Sequence, residues 1–239
     1  MQAQGALETV KLPRWAPVAC NDPAGIAVIW RIRERHYKAV VFDLLTALLN
    51  SWSVWDSVAG SELRGRRWRT RYLELTYGCG AYRPYEELVA EAAADCGLPA
   101  TAAAALRANW DTLTPWPEVP RVLARLRAQG LLLGVVTNCS TELGHRAVAR
   151  CAIRFEAVVT AEEVGFYKPR PEPYRAVLAA LNISADHALF VAGSSADVAG
   201  SAAVGMPVVW HNRVGLPARP GPKPLREAVT LDAILDGFA

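Results

Sequence analysis

The chain has 239 residues, 52% hydrophobic and 21% charged, with a formal net charge of +3. That length suits one large domain, or a domain carrying an insertion, with a full core. The charge is too mild to argue for nucleic acid, and no apolar stretch approaches the length of a membrane span.

Residues 1–36 contain Pro13, Pro17 and Pro23 and little periodicity. They read as an extension, partly mobile, that the fold does not require. The N-terminus lacks a basic segment followed by an apolar core and a cleavage site. The five cysteines (Cys20, Cys79, Cys96, Cys139, Cys151) are odd in number and scattered, without CxxC or Cys/His ligand spacing. Reduced thiols in a cytoplasmic protein are therefore expected.

The run Ala39-Val40-Val41-Phe42-Asp43 is β-branched and aromatic, with no charge until its last residue. It predicts a short buried strand. A carboxylate at the C-terminal end of a central parallel strand opens onto the crevice where such folds bind ligands. Residues 49–113 then read as wholly helical. Leu63, Arg67, Tyr72, Leu75 and Leu88, Val89, Ala92, Ala93 fall at helical spacing, and 100–108 is alanine-rich.

From Trp116 onward, helices and strands alternate. Val119 to Gln129 is a predicted helix closed by Gly130. Strands are predicted at Leu131 to Thr137, Ala157 to Thr160, Ala188 to Ala192 and Pro207 to Trp210, with helices running to about Arg150 and over Pro171 to Leu181. Such alternation implies an α/β fold: a Rossmann-like parallel five-stranded sheet with right-handed crossovers. The core would comprise residues 37–48 and 114–239, with 49–113 as an inserted helical domain. Gly215 to Pro224 is a Pro/Gly-rich surface segment.

Polar residues collect at the predicted strand ends. Asp43 closes the first strand, Thr137-Asn138 the second and Gly193-Ser194 the fourth, with Asp197 just beyond. Lys168 follows the third. Each has an ordinary explanation alone: an Asp after a strand is often a helix cap, and a Lys before Pro is usually solvated. Four at consecutive strand ends, combining an acid, a base and small donors, favour a functional site.

The set resembles the haloacid dehalogenase superfamily: Val41-Phe42-Asp43, Val136-Thr137-Asn138, Tyr167-Lys168-Pro169 and Phe190 to Asp197 come in that order and spacing. The resemblance covers about residues 37 to 213 and implies a helical cap at the insertion. Phosphatases of the superfamily place a second Asp two residues after the nucleophile; here that residue is Leu45. Their last motif carries further acids for magnesium; here only Asp197 remains. No metal or other cofactor is therefore expected.

The L-2-haloacid dehalogenases are the more similar branch. Trp68-Arg69-Thr70-Arg71-Tyr72-Leu73-Glu74 resembles their cap segment with a substrate-binding arginine, here Arg69. Lys168-Pro169 with Tyr174 six residues on is similar to another of their motifs, and Trp210-His211-Asn212-Arg213 to a third. The chain departs where Leu45 replaces a tyrosine and where Ala192 and Ser194 replace Ser and Asn. Thr46-Ala47 replaces Gly-Thr, which loses the aligned hydroxyl.

The resemblance implies a hydrolase acting on a small carboxylic acid. Asp43 would be the nucleophile and Lys168 would keep it ionised. Thr137, Asn138 and backbone amides would hold an oxyanion, and Tyr174 and Asp197 would orient Lys168 and water. Leu45, Thr46, Trp68, Arg69 and Ser194 would contact substrate. The run Arg64, Arg66, Arg67 and Arg71 otherwise reads as a solvated helix face. A phosphomonoesterase, a hydrolase opening a small cyclic amino acid and an inactive binding protein are the alternatives. No nucleic-acid or membrane partner is expected, and a homodimer is left open.

Overall fold

The computed structural model describes residues 37–238; the extension read at residues 1–36 lies outside them. Six parallel strands form one sheet in the order β3-β2-β1-β4-β5-β6. They are β1 (Ala39–Asp43), β2 (Leu132–Thr137), β3 (Ala157–Thr160), β4 (Ala188–Ala192), β5 (Val208–His211) and β6 (Glu227–Ala228). The five expected strands are present. The sixth is an addition: two residues carry no readable period, and β6 is held by pairing Trp210 with Glu227 and His211 with Ala228.

Every residue of β1 is buried, because it pairs with β2 on one side and β4 on the other. Strand order reverses between β1 and β4. In open α/β sheets, that reversal leaves a crevice beyond the strand ends where ligands bind. Asp43 and the loop after β4 both lie there.

Alternate residues of each strand feed opposite faces. Val41, Val136 and Phe190 pack beneath α8 (Pro171–Leu181) and α9 (Ser195–Ala203). Val40, Phe42, Val135 and Val191 face α5 (Val119–Ala128), α6 (Thr141–Ala149) and α10 (Leu231–Leu235). A four-residue α7 (Ala161–Val164) follows β3.

Between β1 and β2 lie α1 (Ser51–Ala59), α2 (Glu62–Gly78), α3 (Tyr85–Asp95), α4 (Ala102–Ala108) and a 3-10 turn at Trp110–Thr112. The two connections of these helices to the sheet run side by side. Asn50 N–H donates to Thr114 O at 2.8 Å, and Trp116 N–H to Leu48 O at 3.0 Å. α1 and α2 cross closely at Gly65, where a Cβ would fall 2.5 Å from the Asp56 Cα. No helix among the described residues is long and apolar enough to cross a membrane.

Candidate active site

Immediately after β1 the chain makes a π-helical turn, Leu44–Leu48, and Asp43 caps it. Its Oδ2 accepts from Thr46 N–H at 2.9 Å, from Ala47 N–H at 3.2 Å and from the Thr46 hydroxyl at 2.5 Å. Its Oδ1 accepts from Lys168 Nζ at 2.7 Å. Helix cap and site residue are thus the same carboxylate. The hydroxyl lost by alignment is present in space: Thr46, third residue after Asp43, folds back onto the carboxylate it follows. Gly193 permits this arrangement, since a Cβ there would lie 1.8 Å from Thr46 Oγ1 and 2.6 Å from Asp43 Oδ2.

Lys168 reaches a second carboxylate, Asp197 Oδ1, at 3.1 Å. The Tyr174 hydroxyl donates to that oxygen at 2.9 Å. Lys168 is 2% exposed, Asp197 5% and Asp43 7%, so three charges are held almost out of water. Asn138 fixes the Lys168 main chain: its Oδ1 accepts from Lys168 N–H at 2.7 Å and its Nδ2 donates to Lys168 O at 3.0 Å.

This environment separates the two carboxyls. Burial would raise the pKa of Asp43, but the charge of Lys168 and the hydrogen bonds from Lys168 and Thr46 outweigh it, leaving Asp43 below the usual 3.8. Asp197 is raised, first by burial and then by the charge of Asp43, against the pull of Lys168. Burial alone would lower the Lys168 pKa, yet Asp197 and Asp43 together raise it. Asp43 is therefore held ionised, and Asp197 is the carboxyl that protonates more readily.

A cavity of about 50 Å³ adjoins these groups. Asp43, Leu45, Thr46, Arg69, Thr137, Asn138, Lys168, Ser194 and Asp197 line it. Arg69, on α2, is 4% exposed, and burial pushes its pKa down. Its Nη1 donates to Ser51 Oγ at 2.5 Å, and its guanidinium lies 4.1 Å from the centre of the Trp52 ring.

Two expected residues lie elsewhere. Tyr174 stands behind Asp197, to which its hydroxyl donates, and does not line the cavity. Trp68 is a correction: wholly buried, it packs 4.6 Å from Trp55 and donates Nε1–H to Val89 O. One residue along a helix is a rotation of about 100°, which carries Trp68 away from the cavity that its neighbour Arg69 enters. The Thr137 hydroxyl donates to Cys139 Sγ at 3.4 Å, leaving the donors on Asp43 to Thr46, Ala47 and Lys168.

Trp52, Tyr72, Leu73, Tyr77 and Leu216 complete the lining. Tyr72 and Leu73 belong to the cap segment that the sequence singles out, whereas Tyr77 carries no signal there. Tyr77 shares the cavity wall with Ser194, and burial raises its pKa to about 12, so it remains a neutral phenol. Leu216 comes from the Pro/Gly-rich segment, held by Asn212, whose Oδ1 accepts from Leu216 N–H at 2.7 Å. Among the described residues, no three His, Cys, Asp or Glu side chains group to hold a metal ion. The Lys168 ammonium bridges the Asp43 and Asp197 carboxylates.

The sequence model of haloacid dehalogenase-like hydrolases matches residues 40–211. The chain belongs to this family. It is a hydrolase of the haloacid dehalogenase type. The haloacetate dehalogenase H-2 of Moraxella sp. (strain B) is 32% identical over 197 residues, 74% of this chain and 87% of that protein. A crystal structure of an L-2-haloacid dehalogenase is 26% identical with a TM-score of 0.75, covering 84% of this chain and 98% of the other. A phosphatase of Mycobacterium tuberculosis (strain CDC 1551 / Oshkosh) is 32% identical over 125 residues, 51% of this chain and 56% of that protein.

Proposed function

We propose that the protein displaces a leaving group, such as halide, from C2 of a small carboxylic acid through an aspartyl ester that water hydrolyses to a 2-hydroxy acid. The observation that carries this reading is the ionised, buried Asp43 beside Lys168, sharing a small cavity with the buried cation Arg69. Dehalogenase relatives that align over most of the chain support the substrate class.

The two oxygens of Asp43 divide the work. Oδ2 already accepts from three donors, whereas among the described residues Oδ1 accepts from Lys168 alone and keeps a lone pair for attack. Oδ1 attacks C2 and the leaving group departs with the bonding electrons. Arg69 pairs with the substrate carboxylate. In the ester, Oδ2 is the carbonyl oxygen. When water attacks Cγ, negative charge gathers on Oδ2, where Thr46 N–H, Ala47 N–H and the Thr46 hydroxyl are already aimed. Asp197, the more basic carboxylate, takes the proton from water and returns it to Oδ1 as the Cγ–Oδ1 bond breaks. The 2-hydroxy acid thus leaves with Oδ1, and the oxygen of water stays in Asp43. The helical segment 49–113 serves as a cap that supplies Arg69 and limits bulk water.

Leu45 weighs against phosphomonoester hydrolysis, because it cannot donate the proton that a leaving alkoxide needs. Opening a strained cyclic amino acid would use the same attack at C2. A panel of 2-haloacids, cyclic amino acids and phosphate esters, run with and without chelator, tests the reading. Turnover of a 2-haloacid that survives chelation is expected. Magnesium-dependent phosphate release with no 2-haloacid turnover would replace the proposal. Asp43→Asn should abolish turnover in a folded protein. One turnover in isotopically heavy water, followed by peptide mass measurement, should place heavy oxygen in Asp43. Label appearing only in product would rule out the ester.

A further inference from the structure

Two peptide groups aim their N–H bonds at Asp43 Oδ2, and each is also engaged at its carbonyl. The N–H of Thr46 shares a peptide with Leu45 C=O, which accepts from the Ser51 hydroxyl. Ser51 Oγ in turn accepts from Arg69 Nη1 at 2.5 Å. A continuous chain of hydrogen bonds thus runs from the Arg69 guanidinium, through the Ser51 hydroxyl and the Leu45–Thr46 peptide, to the carboxylate of Asp43. A second, shorter chain is parallel to it. Trp116 Nε1–H donates to Thr46 O at 3.0 Å, on the peptide whose Ala47 N–H reaches Oδ2.

Among the described residues, the Ser51 hydroxyl makes no other hydrogen bond. Ser51 is the first residue of α1, but Asn50 caps that helix, accepting from Ser53 N–H at 3.4 Å. Ser51 is wholly buried, so its hydroxyl is not kept there by water. Both of its bonds lie on the path from Arg69 to the nucleophile.

We propose that Ser51 is a positioning residue that couples the carboxylate-binding Arg69 to the charge-stabilising site around Asp43 Oδ2. A donor at a peptide carbonyl polarises the N–H of the same peptide, and bonds in series reinforce one another. The chain begins at a full positive charge and ends where negative charge gathers during ester hydrolysis. No proton travels along it; each hydrogen stays on its donor while the dipoles align. Ser51 also fixes the orientation of the guanidinium. One side chain thereby serves both substrate binding and hydrolysis of the ester.

This role rests on the proposed reading that Asp43 forms an ester. The test is a single-turnover experiment with saturating 2-haloacid, following formation and decay of the Asp43 ester by quenched-flow peptide mass measurement. Ser51→Ala should slow ester decay about ten-fold, a fraction of the loss from deleting a direct oxyanion donor, with ester accumulating. Ser51→Thr should restore most of the rate. In an Arg69→Ala background, Ser51→Ala should change decay little, because the charged end of the chain is already gone. If Ser51→Ala does not fold, the near-isosteric pair Ser51→Thr and Ser51→Val poses the same question through the hydroxyl alone. Decay unchanged in Ser51→Ala or Ser51→Val, or equal effects of Ser51→Ala with and without Arg69, would overturn the role while leaving the ester mechanism intact. Failure of the unmodified protein to form any ester would overturn both.

Discussion

At the scale of single residues, Lys168 settles the state of the site. It is the cation between two buried carboxylates, 2.7 Å from one and 3.1 Å from the other. Removing one partner of a buried pair strands the remaining charges and costs about 3–5 kcal/mol. Lys168→Met should lose about that much stability in urea denaturation as well as turnover, and adding Asp197→Asn should recover part of the stability but not the turnover. A stability loss unrelieved by the second change would mean that the carboxylates do not repel. The pKa directions also fix the pH profile. Asp43 is depressed and stays ionised as pH falls; Asp197 is raised and protonates first, which removes the acceptor for the proton of water. The acid limb of kcat should therefore lie above the usual carboxylate value of 3.8. A limb at or below that value would remove Asp197 from the role. Asp43, Lys168, Tyr174 and Asp197 were legible in the sequence because each lies near a strand end or at fixed spacing from one that does. Ser51 and Trp116 were not. They act on main-chain carbonyls six and seventy residues away, and a backbone acceptor leaves no residue-type signature.

At the scale of elements, the decisive piece is the turn after β1. The run Leu44 to Leu49 looks in sequence like an apolar start to the helical stretch, and nothing in its pattern marks a π-type turn capped by Asp43. For the same reason the Thr46 hydroxyl was misplaced: an alignment counts positions, whereas the turn decides which side chain folds back. The strands were legible because β-branched, uncharged runs bounded by turn residues have few other solutions. The turn and the β4–α9 loop touch at Gly193. Gly193→Ala would drive a methyl into Thr46 Oγ1 and Asp43 Oδ2, so either the loop or the turn must move. A loss of about 1–3 kcal/mol in stability is expected from such overpacking, with a fall in turnover that rescue of the fold at low temperature does not repair. Thr46→Val removes the hydroxyl while keeping the volume. It should cost about 1.5–3 kcal/mol of stabilisation where the acceptor is charged, read as slower ester decay. If Thr46→Val matches the unmodified protein, the two backbone N–H groups suffice.

At the scale of the molecule, the question is whether the helical stretch is a separate body. Its proposed chemistry, supplying Arg69 over Asp43, requires a fixed distance between two parts of the chain that lie far apart in sequence. Several contacts hold it. Trp110 Nε1–H donates to Leu143 O at 2.8 Å, the Ser140 hydroxyl to Glu86 Oε1 at 2.7 Å, and the Tyr72 hydroxyl to Asn138 O at 2.9 Å. Arg146 reaches Asp111 at 2.9 Å, while Arg107 reaches Glu142 at 2.6 Å. These ion pairs are largely exposed and individually worth little. The stronger tie is apolar: Trp55, Trp68, Leu88 and Leu106 of the helices belong to the same buried cluster as Phe42, Val135 and Leu143 of the α/β part. A shared core makes the cost of exposing apolar surface common to both parts, so neither can open fully without uncovering the other. The protein should accordingly unfold in one transition, with far-ultraviolet circular dichroism and tryptophan fluorescence giving the same midpoint and steepness. Hydrogen exchange should give peptides from residues 51–112 the same limiting opening free energy as those from β1, β2 and β4. Earlier melting of the helical peptides, with the sheet still protected, would show instead that Arg69 is carried on an independently folding lid, and that access to Asp43 is set by its opening.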